Sequence, residues 1–256
     1  MHSFVINNTI FTGKFLIYEP QMLSTNLFAK NLISKTKPID GSVIITDKQT
    51  HGKGQGQNQW LTEHHKNLTF SIIYDTSFLE AKDQFFLSAA IAVGIRNAIF
   101  DVTREVGIAI KWPNDIILKH KKLGGVLIEN SVFGTHLKHS IIGIGINVNQ
   151  QQFEDLPLAT SLFNQGFTDI SPESLLAIIC SRIERQFLQL KAGKFNSILI
   201  DYNQHMFQRD RVVTFQKEGL EMMGKIVEVT ASGELVVEVN EQLKRFYFGE
   251  IKWLMQ

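Results

Sequence analysis

Four short segments of the 256-residue chain carry residue types suited to an anionic substrate. The first, Gln49-Thr50-His51-Gly52-Lys53-Gly54-Gln55-Gly56-Gln57-Asn58-Gln59-Trp60, alternates glycines around one lysine. Glycines let successive backbone N–H groups converge on an anion, and Lys53 adds a fixed charge. No Gly-Lys-Ser/Thr closes the stretch, so it is not a Walker A loop. It leads to Trp60 and a strand instead of a helix, so it is not a dinucleotide fingerprint. A plain surface loop has the same composition. The second segment, Lys111-Trp112-Pro113-Asn114-Asp115, closes a strand with a turn fixed by Pro113, within reach of solvent.

Seven residues after Asp115 stands Lys122, in Lys121-Lys122-Leu123-Gly124-Gly125. Two strands meeting there would set Lys111 and Lys122 near one phosphate, and Gly124 and Gly125 would let a ligand come close. A solvated hairpin tip is the ordinary fate of a run such as Lys119-His120-Lys121-Lys122. The fourth segment, Ile142-Gly143-Ile144-Gly145-Ile146-Asn147-Val148-Asn149, alternates strictly. Its isoleucines share one face, and its glycines leave the other open to whatever packs closely, a helix or a ligand. Asn147, at the strand end, can bond to a nucleotide.

These segments need a scaffold. Ser42–Asp47 and Asn67–Tyr74 read as strands from their β-branched and aromatic runs. A helical pattern runs from about Leu79 to Arg104, with Phe85, Phe86, Ala89, Val93 and Ile99 at core positions. Strand-like pieces follow at Ile108–Lys111, Ile116–Leu118, Val126–Glu129 and Ser140–Val148. Ser171-Pro172-Glu173 starts a helix that buries Leu176, Ile179, Ile183, Phe187 and Leu190, and Gly193 ends it. From about Gln208 the texture changes to short alternating strands at Val212–Phe215, Lys225–Val229, Glu234–Val239 and Lys244–Phe248. Turn pairs Glu218-Gly219, Ser232-Gly233 and Asn240-Glu241 separate them. The pattern predicts a mixed α/β domain over 1–207 and a small β-barrel over 208–256.

Composition narrows the class. With 26 basic and 25 acidic residues the net charge is +1, so no global field recruits nucleic acid or a membrane. The single cysteine, Cys180, allows no internal disulfide and fits a reducing, cytoplasmic setting. The start, Met1-His2-Ser3-Phe4-Val5-Ile6, lacks the features of a signal peptide, and polar residues interrupt every apolar run, so no membrane span is expected. His64-His65, His136 and His139 do not follow zinc-ligand spacing, so no metal site is expected.

Taken together and in this order, the four segments resemble the catalytic domain of biotin–protein ligases. That family has a glycine-rich loop ending in Trp, then Lys-Trp-Pro-Asn-Asp, then Lys-Leu-(Gly/Ala)-Gly, then Gly-(Ile/Ala)-Gly-Ile-Asn. An earlier family element, Ser-Thr-Asn, stands here as Ser24-Thr25-Asn26. The resemblance covers residues 15–150 closely and the C-terminal part more loosely. It implies a mixed β-sheet domain packed by helices with a C-terminal SH3-like barrel. It also implies an enzyme that makes biotinyl-5'-AMP from biotin and ATP with Mg2+, then transfers biotin to a lysine of a biotin carboxyl carrier protein.

By the same resemblance, Ser24, Thr25, Asn26 and Gln49 would bind the ureido ring of biotin. Lys53, Gly54 and Gln55 would fold over it, beside Gly125. Trp60 would stack on adenine, with Asn114 and Asn147 at the nucleotide. Lys122, assisted by Lys111 and organised by Asp115, would grip the carboxylate and α-phosphate. Where many relatives carry arginines, Gln55-Gly56-Gln57-Asn58 is neutral. The rival reading is a lipoate or octanoate transferase of the same fold, one branch of which uses a nucleophilic cysteine. Cys180 falls on an amphipathic helix and reads as core. Only about two dozen residues precede Ser24, too few for a helix-turn-helix, so no DNA partner is expected. A homodimer is left open.

Overall fold

Residues 4–56, 58–154 and 156–254 are described by the computed structural model, so Met1, His2, Ser3 and Gln57, named above, and the last two residues of the range 208–256 lie outside the described residues. Seven strands run in chain order as β1 (Leu16–Met22), β2 (Ser42–Gln49), β3 (Asn67–Asp75), β4 (Ile108–Lys111), β5 (Asp115–Leu118), β6 (Lys121–Phe133) and β7 (His136–Asn147). They form one sheet in the order β1-β2-β3-β7-β6-β5-β4. Only β1 and β2 are parallel; every other neighbouring pair is antiparallel. The expected strands are present, with β6 and β7 much longer than their apolar runs because they pair along a continuous hairpin.

Four helices cover the sheet: α1 (Thr25–Lys35), α2 (Gln84–Thr103), α3 (Pro172–Lys191) and α4 (Phe195–Gln204). The helical pattern from Leu79 resolves into a 3-10 turn, Ala81–Asp83, and then α2. α2 is apolar nearly all round because it lies between the sheet and α3. Contrary to the expectation of no membrane-span-like stretch, Ala81–Thr103 is long and apolar enough to cross a membrane, with a mean hydropathy of 1.6. It is a core helix here, with Phe85, Phe86, Ala89, Val93 and Ile99 all buried. α3 begins as expected, Ser171 Oγ accepting from Ser174 N at 3.1 Å, and Gly193 follows its end with φ of 73°.

Two elements went unforeseen at the N-terminal edge. β1 contains Pro20 and is half exposed, which an edge strand tolerates. α1 lies on the opposite sheet face from α2 and α3, over a small apolar group of Met22, Ala29, Ile44, Ile73 and Ile141. Its first residues Thr25 and Asn26 are buried. α4 was also missed.

The C-terminal strands are β8 (Val212–Lys217), β9 (Leu220–Val229), β10 (Leu235–Val239), β11 (Gln242–Phe246) and β12 (Lys252–Leu254), a five-stranded antiparallel sheet in the order β11-β10-β9-β8-β12. Glu218-Gly219 and Asn240-Glu241 turn with positive φ at both residues, the hairpin geometry that their types suggested. β12 was not anticipated. The edge strands β11 and β12 do not pair with each other, and Phe248↔Ile251 bridges the segment between them. Apolar packing runs without a break from the first sheet into Val213, Phe215, Leu235 and Val237.

Candidate active site

A row of residues crosses the α1 face of the first sheet. Strand register sets Lys111 opposite Asp115, Asp115 opposite Gly125, Gly125 opposite Gly145, and Gly145 opposite Thr69. Residues directly opposite across a sheet share a face. Both lysines singled out by sequence therefore neighbour Asp115, and Lys122 pairs with it. Lys122 Nζ lies 2.7 Å from Asp115 Oδ1. Burial pulls the Lys111 ammonium below its ordinary range; Asp115 opposes this and Lys122 adds to it.

A bulge aims Lys122. Pairing of β5 with β6 runs Asp115↔Gly125 and Ile116↔Gly124, then shifts to Ile117↔Lys122, leaving Leu123 extra. Without the bulge, Lys122 would share the helix-covered face with Gly124; with it, Lys122 joins Asp115 and Gly125. Buried Leu123 anchors the bulge. The segment around Ala159 holds the backbone, with Lys122 N donating to Leu158 O at 2.7 Å and Thr160 N to Lys122 O at 2.9 Å. Gly125 leaves room for the pair: a Cβ there would sit 3.2 Å from Asp115 Oδ1 and 3.5 Å from Lys122 Nζ.

Gly143 and Gly145 form the floor between this cationic end and α1. A Cβ on Gly145 would lie 2.3 Å from Trp60 Cε2, and one on Gly143 would lie 2.4 Å from Asn26 Oδ1. Gly143 makes the close helix contact that the sequence allowed, while at Gly145 an indole packs closely. Ile142, Ile144 and Ile146 face the main core, as alternation required. Trp60 Nε1 and Thr69 Oγ1 are buried without a hydrogen-bond partner, both beside Gly145. Buried polar groups are rarely left so, and two at one place in a cleft suit ligand contact.

The α1 end is neutral and polar. Ser24 caps α1, with Leu27 N 3.5 Å from Ser24 Oγ. Thr25 N donates to Gln49 Oε1 at 2.8 Å, and Ser71 Oγ stands 2.7 Å from Thr25 Oγ1. The amide of Asn26 engages Glu129 Oε2 at 2.7 Å. Ser71 and Glu129 escaped the sequence reading because single polar residues inside strands carry no local signal. The glycine loop is folded as a small hairpin, with Lys53 bridged to Gln59, Gly54 N donating to Asn58 O at 2.8 Å and Trp60 N to Gly52 O at 3.0 Å.

A cleft of about 1570 Å³ joins these parts. Ser24, Thr25, Asn26, Gln49, Lys53, Gly54, Gln55, Trp60, Lys111, Asn114, Asp115, Lys122, Gly125 and Asn147 all line it. Three of them spend their side-chain NH2 groups on the protein: Asn26 on Glu129, Asn114 Nδ2 on Val126 O, and Asn147 Nδ2 on Thr160 O at 3.0 Å. The sequence reading named no lining residue from residues 150–154, from residues 156–159 or from the second sheet, where Phe248 and Trp253 reach the cleft. Lys111 Nζ is 5.8 Å from the Trp253 ring centroid. Trp112 Nε1 donates to Gly233 O at 3.0 Å, and Tyr202 Oη to Pro113 O at 2.9 Å, so both neighbours of the turn hold it. The Trp112–Pro113 bond is cis.

Cys180 is fully buried in α3, and burial, with Glu184 nearby, pushes its thiol above its ordinary range. Such a group supplies no thiolate. Histidine spacing gave no metal site, but it overlooked Asp47, which with His64 and His65 brings three ligand-type atoms within 4.8 Å of one another. The Asp47 carboxylate is already engaged by the Tyr18 hydroxyl and by His65 Nδ1 at 3.1 Å, and neither histidine lines the cleft.

Comparison with known proteins places this geometry. The profile of the biotin/lipoate A/B protein ligase family matches residues 18–147. A bifunctional ligase/repressor of Bacillus subtilis is 29% identical over 248 residues, covering 94% of this chain and 74% of that protein. A biotin–[acetyl-CoA-carboxylase] ligase of Mycobacterium tuberculosis is 25% identical over 207 residues, covering 79% and 75% respectively. Among solved structures, a biotin protein ligase from Aquifex aeolicus in complex with biotin and ATP superposes with a TM-score of 0.79 at 26% identity, over 95% of this chain and 100% of that one.

Proposed function

The chain belongs to the biotin/lipoate A/B protein ligase family, and on that premise we propose that it is a biotin–protein ligase. It makes biotinyl-5'-AMP from biotin and MgATP, then passes biotin to a lysine of a biotin carboxyl carrier domain. One observation carries the choice of substrate within the family: the cleft has a neutral donor–acceptor pocket at Thr25 and Gln49 and a two-lysine end at Lys111 and Lys122. Biotin has a polar ureido ring at one end and a carboxylate at the other. The apolar dithiolane of lipoate or tail of octanoate would leave the Thr25–Gln49 pocket unpaired, which is costly. The buried Cys180 also argues against the thiol-dependent branch.

In the first step a carboxylate oxygen of biotin attacks the α-phosphorus, forming the acyl–phosphate bond as the bond to pyrophosphate breaks. Two anions must approach, and Lys111 and Lys122 offset their repulsion in a partly dehydrated site. Asp115 holds Lys122 until substrate arrives. Ser24, Thr25 and Gln49 take the ureido ring, with Asn26 orienting Thr25. Lys53, Gly54 and Gln55 cover biotin beside Gly125, and Trp60 stacks on adenine. Asn114 and Asn147, tied to Val126 and Thr160, shape the nucleotide end. In the second step the carrier amine attacks the acyl carbon and AMP leaves. Residues 208–256 act as a separate small unit docked at the nucleotide end. The near-neutral charge supports no nucleic-acid role, and the reducing conditions of a cytoplasm suit the single thiol. A mass gain of one biotinyl group on a carrier domain, dependent on MgATP, is the expected result; no transfer to any carrier would sink the reading.

A further inference from the structure

The pocket at the start of α1 is wired in one direction. Asn26 Nδ2 lies 2.7 Å from Glu129 Oε2 and 3.3 Å from the Leu127 carbonyl oxygen. Carboxylate and carbonyl are acceptors, so Asn26 must turn its NH2 to β6 and its Oδ1 to Ser71. Ser71 Oγ stands 2.7 Å from Asn26 Oδ1 and 2.7 Å from Thr25 Oγ1. Ser71 has one proton and Asn26 Oδ1 has none, so the Ser71 proton goes to Asn26. The Ser71–Thr25 contact, at 2.7 Å, then takes the Thr25 proton in preference to Gln49 Oε1, which lies 3.2 Å from Thr25 Oγ1. Gln49 Oε1 is held by Thr25 N, which turns the other end of that amide toward Gly52, where a Cβ would lie 2.8 Å from Gln49 Nε2. Thr25 therefore offers the cleft lone pairs, and Gln49 offers it N–H groups.

We infer that Glu129, acting through Asn26 and Ser71, is a positioning residue that sets the donor and acceptor polarity of the ring-binding pocket. The ring it selects carries an N–H beside a C=O, as a cyclic urea does; this rests on the biotin reading above. Neither Ser71 nor Glu129 lines the cleft, so neither acts by touching the ring. Reversing the chain needs a donor in place of Glu129 that outweighs the longer contact to the Leu127 carbonyl, 3.3 Å from Asn26 Nδ2. A donor there would draw Asn26 Oδ1 to itself, hand Asn26 Nδ2 to Ser71, and send the Ser71 proton to Thr25, which would then turn its own proton to Gln49 Oε1, 3.2 Å away, and offer the ring one lone pair fewer.

The test compares Glu129→Lys, a donor, with Glu129→Gln, which keeps an acceptor oxygen, and with Ser71→Ala. Biotin Kd should rise roughly 10-fold or more in Glu129→Lys and Ser71→Ala, the scale of one buried hydrogen bond misdirected. Glu129→Gln should restore it to within about threefold of the parent. Turnover at saturating biotin and KM for ATP should stay within about twofold, which separates positioning from general damage. In the ligand-free protein, the Asn26 side-chain amide resonances in 15N spectra should move in Glu129→Lys. An amide blind to that substitution overturns the relay whatever biotin does. An amide that moves while biotin Kd does not overturns its role in recognition. If the parent protein fails to bind biotin while the amide responds, the ligase reading falls and takes the ring-selecting role with it.

Discussion

Lys122 Nζ sits 2.7 Å from Asp115 Oδ1, and a bulge at Leu123 is what puts it there. Both side chains are partly exposed, so the ion pair itself contributes little to folding. Its value lies in holding a cation ready. Lys122→Ala is predicted to lower biotin-dependent pyrophosphate exchange by roughly 10- to 150-fold, the worth of one charge-assisted hydrogen bond of ~1.5–3 kcal/mol. Its thermal midpoint should stay close to that of the parent. Parent-like exchange in this variant would remove Lys122 from the chemistry.

Lys111 carries a pH signature. Burial lowers its pKa from 10.5, so the folded chain releases this proton at a lower pH than the unfolded chain does. Between the two values the unfolded state binds more protons, and stability rises with pH. Activity should do the opposite, falling as the pH climbs through the folded value and the cation is lost. Lys111→Met should therefore raise the melting temperature while reducing adenylation, and should abolish that alkaline fall. A variant that is both less stable and fully active would contradict this.

Gly145 is predicted to tolerate no side chain. A Cβ 2.3 Å from Trp60 must displace the indole from the floor of the cleft. Gly145→Ala should weaken biotin and ATP binding by roughly 10-fold, at a stability cost of about 1–3 kcal/mol. The Trp60 fluorescence, read as the difference from Trp60→Phe, should shift. Unchanged affinities and an unchanged difference spectrum would detach Trp60 from ligand binding.

Residues 208–256 should be more than an appendage. Trp112 bonds to Gly233, Trp253 lies near Lys111, and the apolar core crosses between the sheets. Fewer than fifty residues seldom supply more than ~3–5 kcal/mol of stability alone. Truncation before Arg209 should expose apolar surface, lower solubility, and impair carrier labelling at least as much as exchange. Equal rates and melting temperature in the truncated chain would refute this.

Much of the site was legible because its parts are local. Loop glycines, the Lys111–Asp115 pentapeptide and the alternating Ile-Gly strand each declare themselves in a few residues, and the strands join them. What stayed hidden depends on pairing between distant segments. The aim of Lys122 turns on a bulge seen only in the β5–β6 register. Ser71 and Glu129 matter only because α1 lies across β3, β7 and β6. β1 was obscured by Pro20, which an edge strand accepts and a central one would not. Trp253 reads as barrel core until the second sheet is docked.

The central claim is the identity of the activated acid, and exchange of labelled pyrophosphate into ATP measures it before any carrier is involved. The purified chain, given MgATP, should exchange label when biotin is added and remain near background with lipoate or octanoate. Exchange driven by lipoate or octanoate and not by biotin would contradict the account.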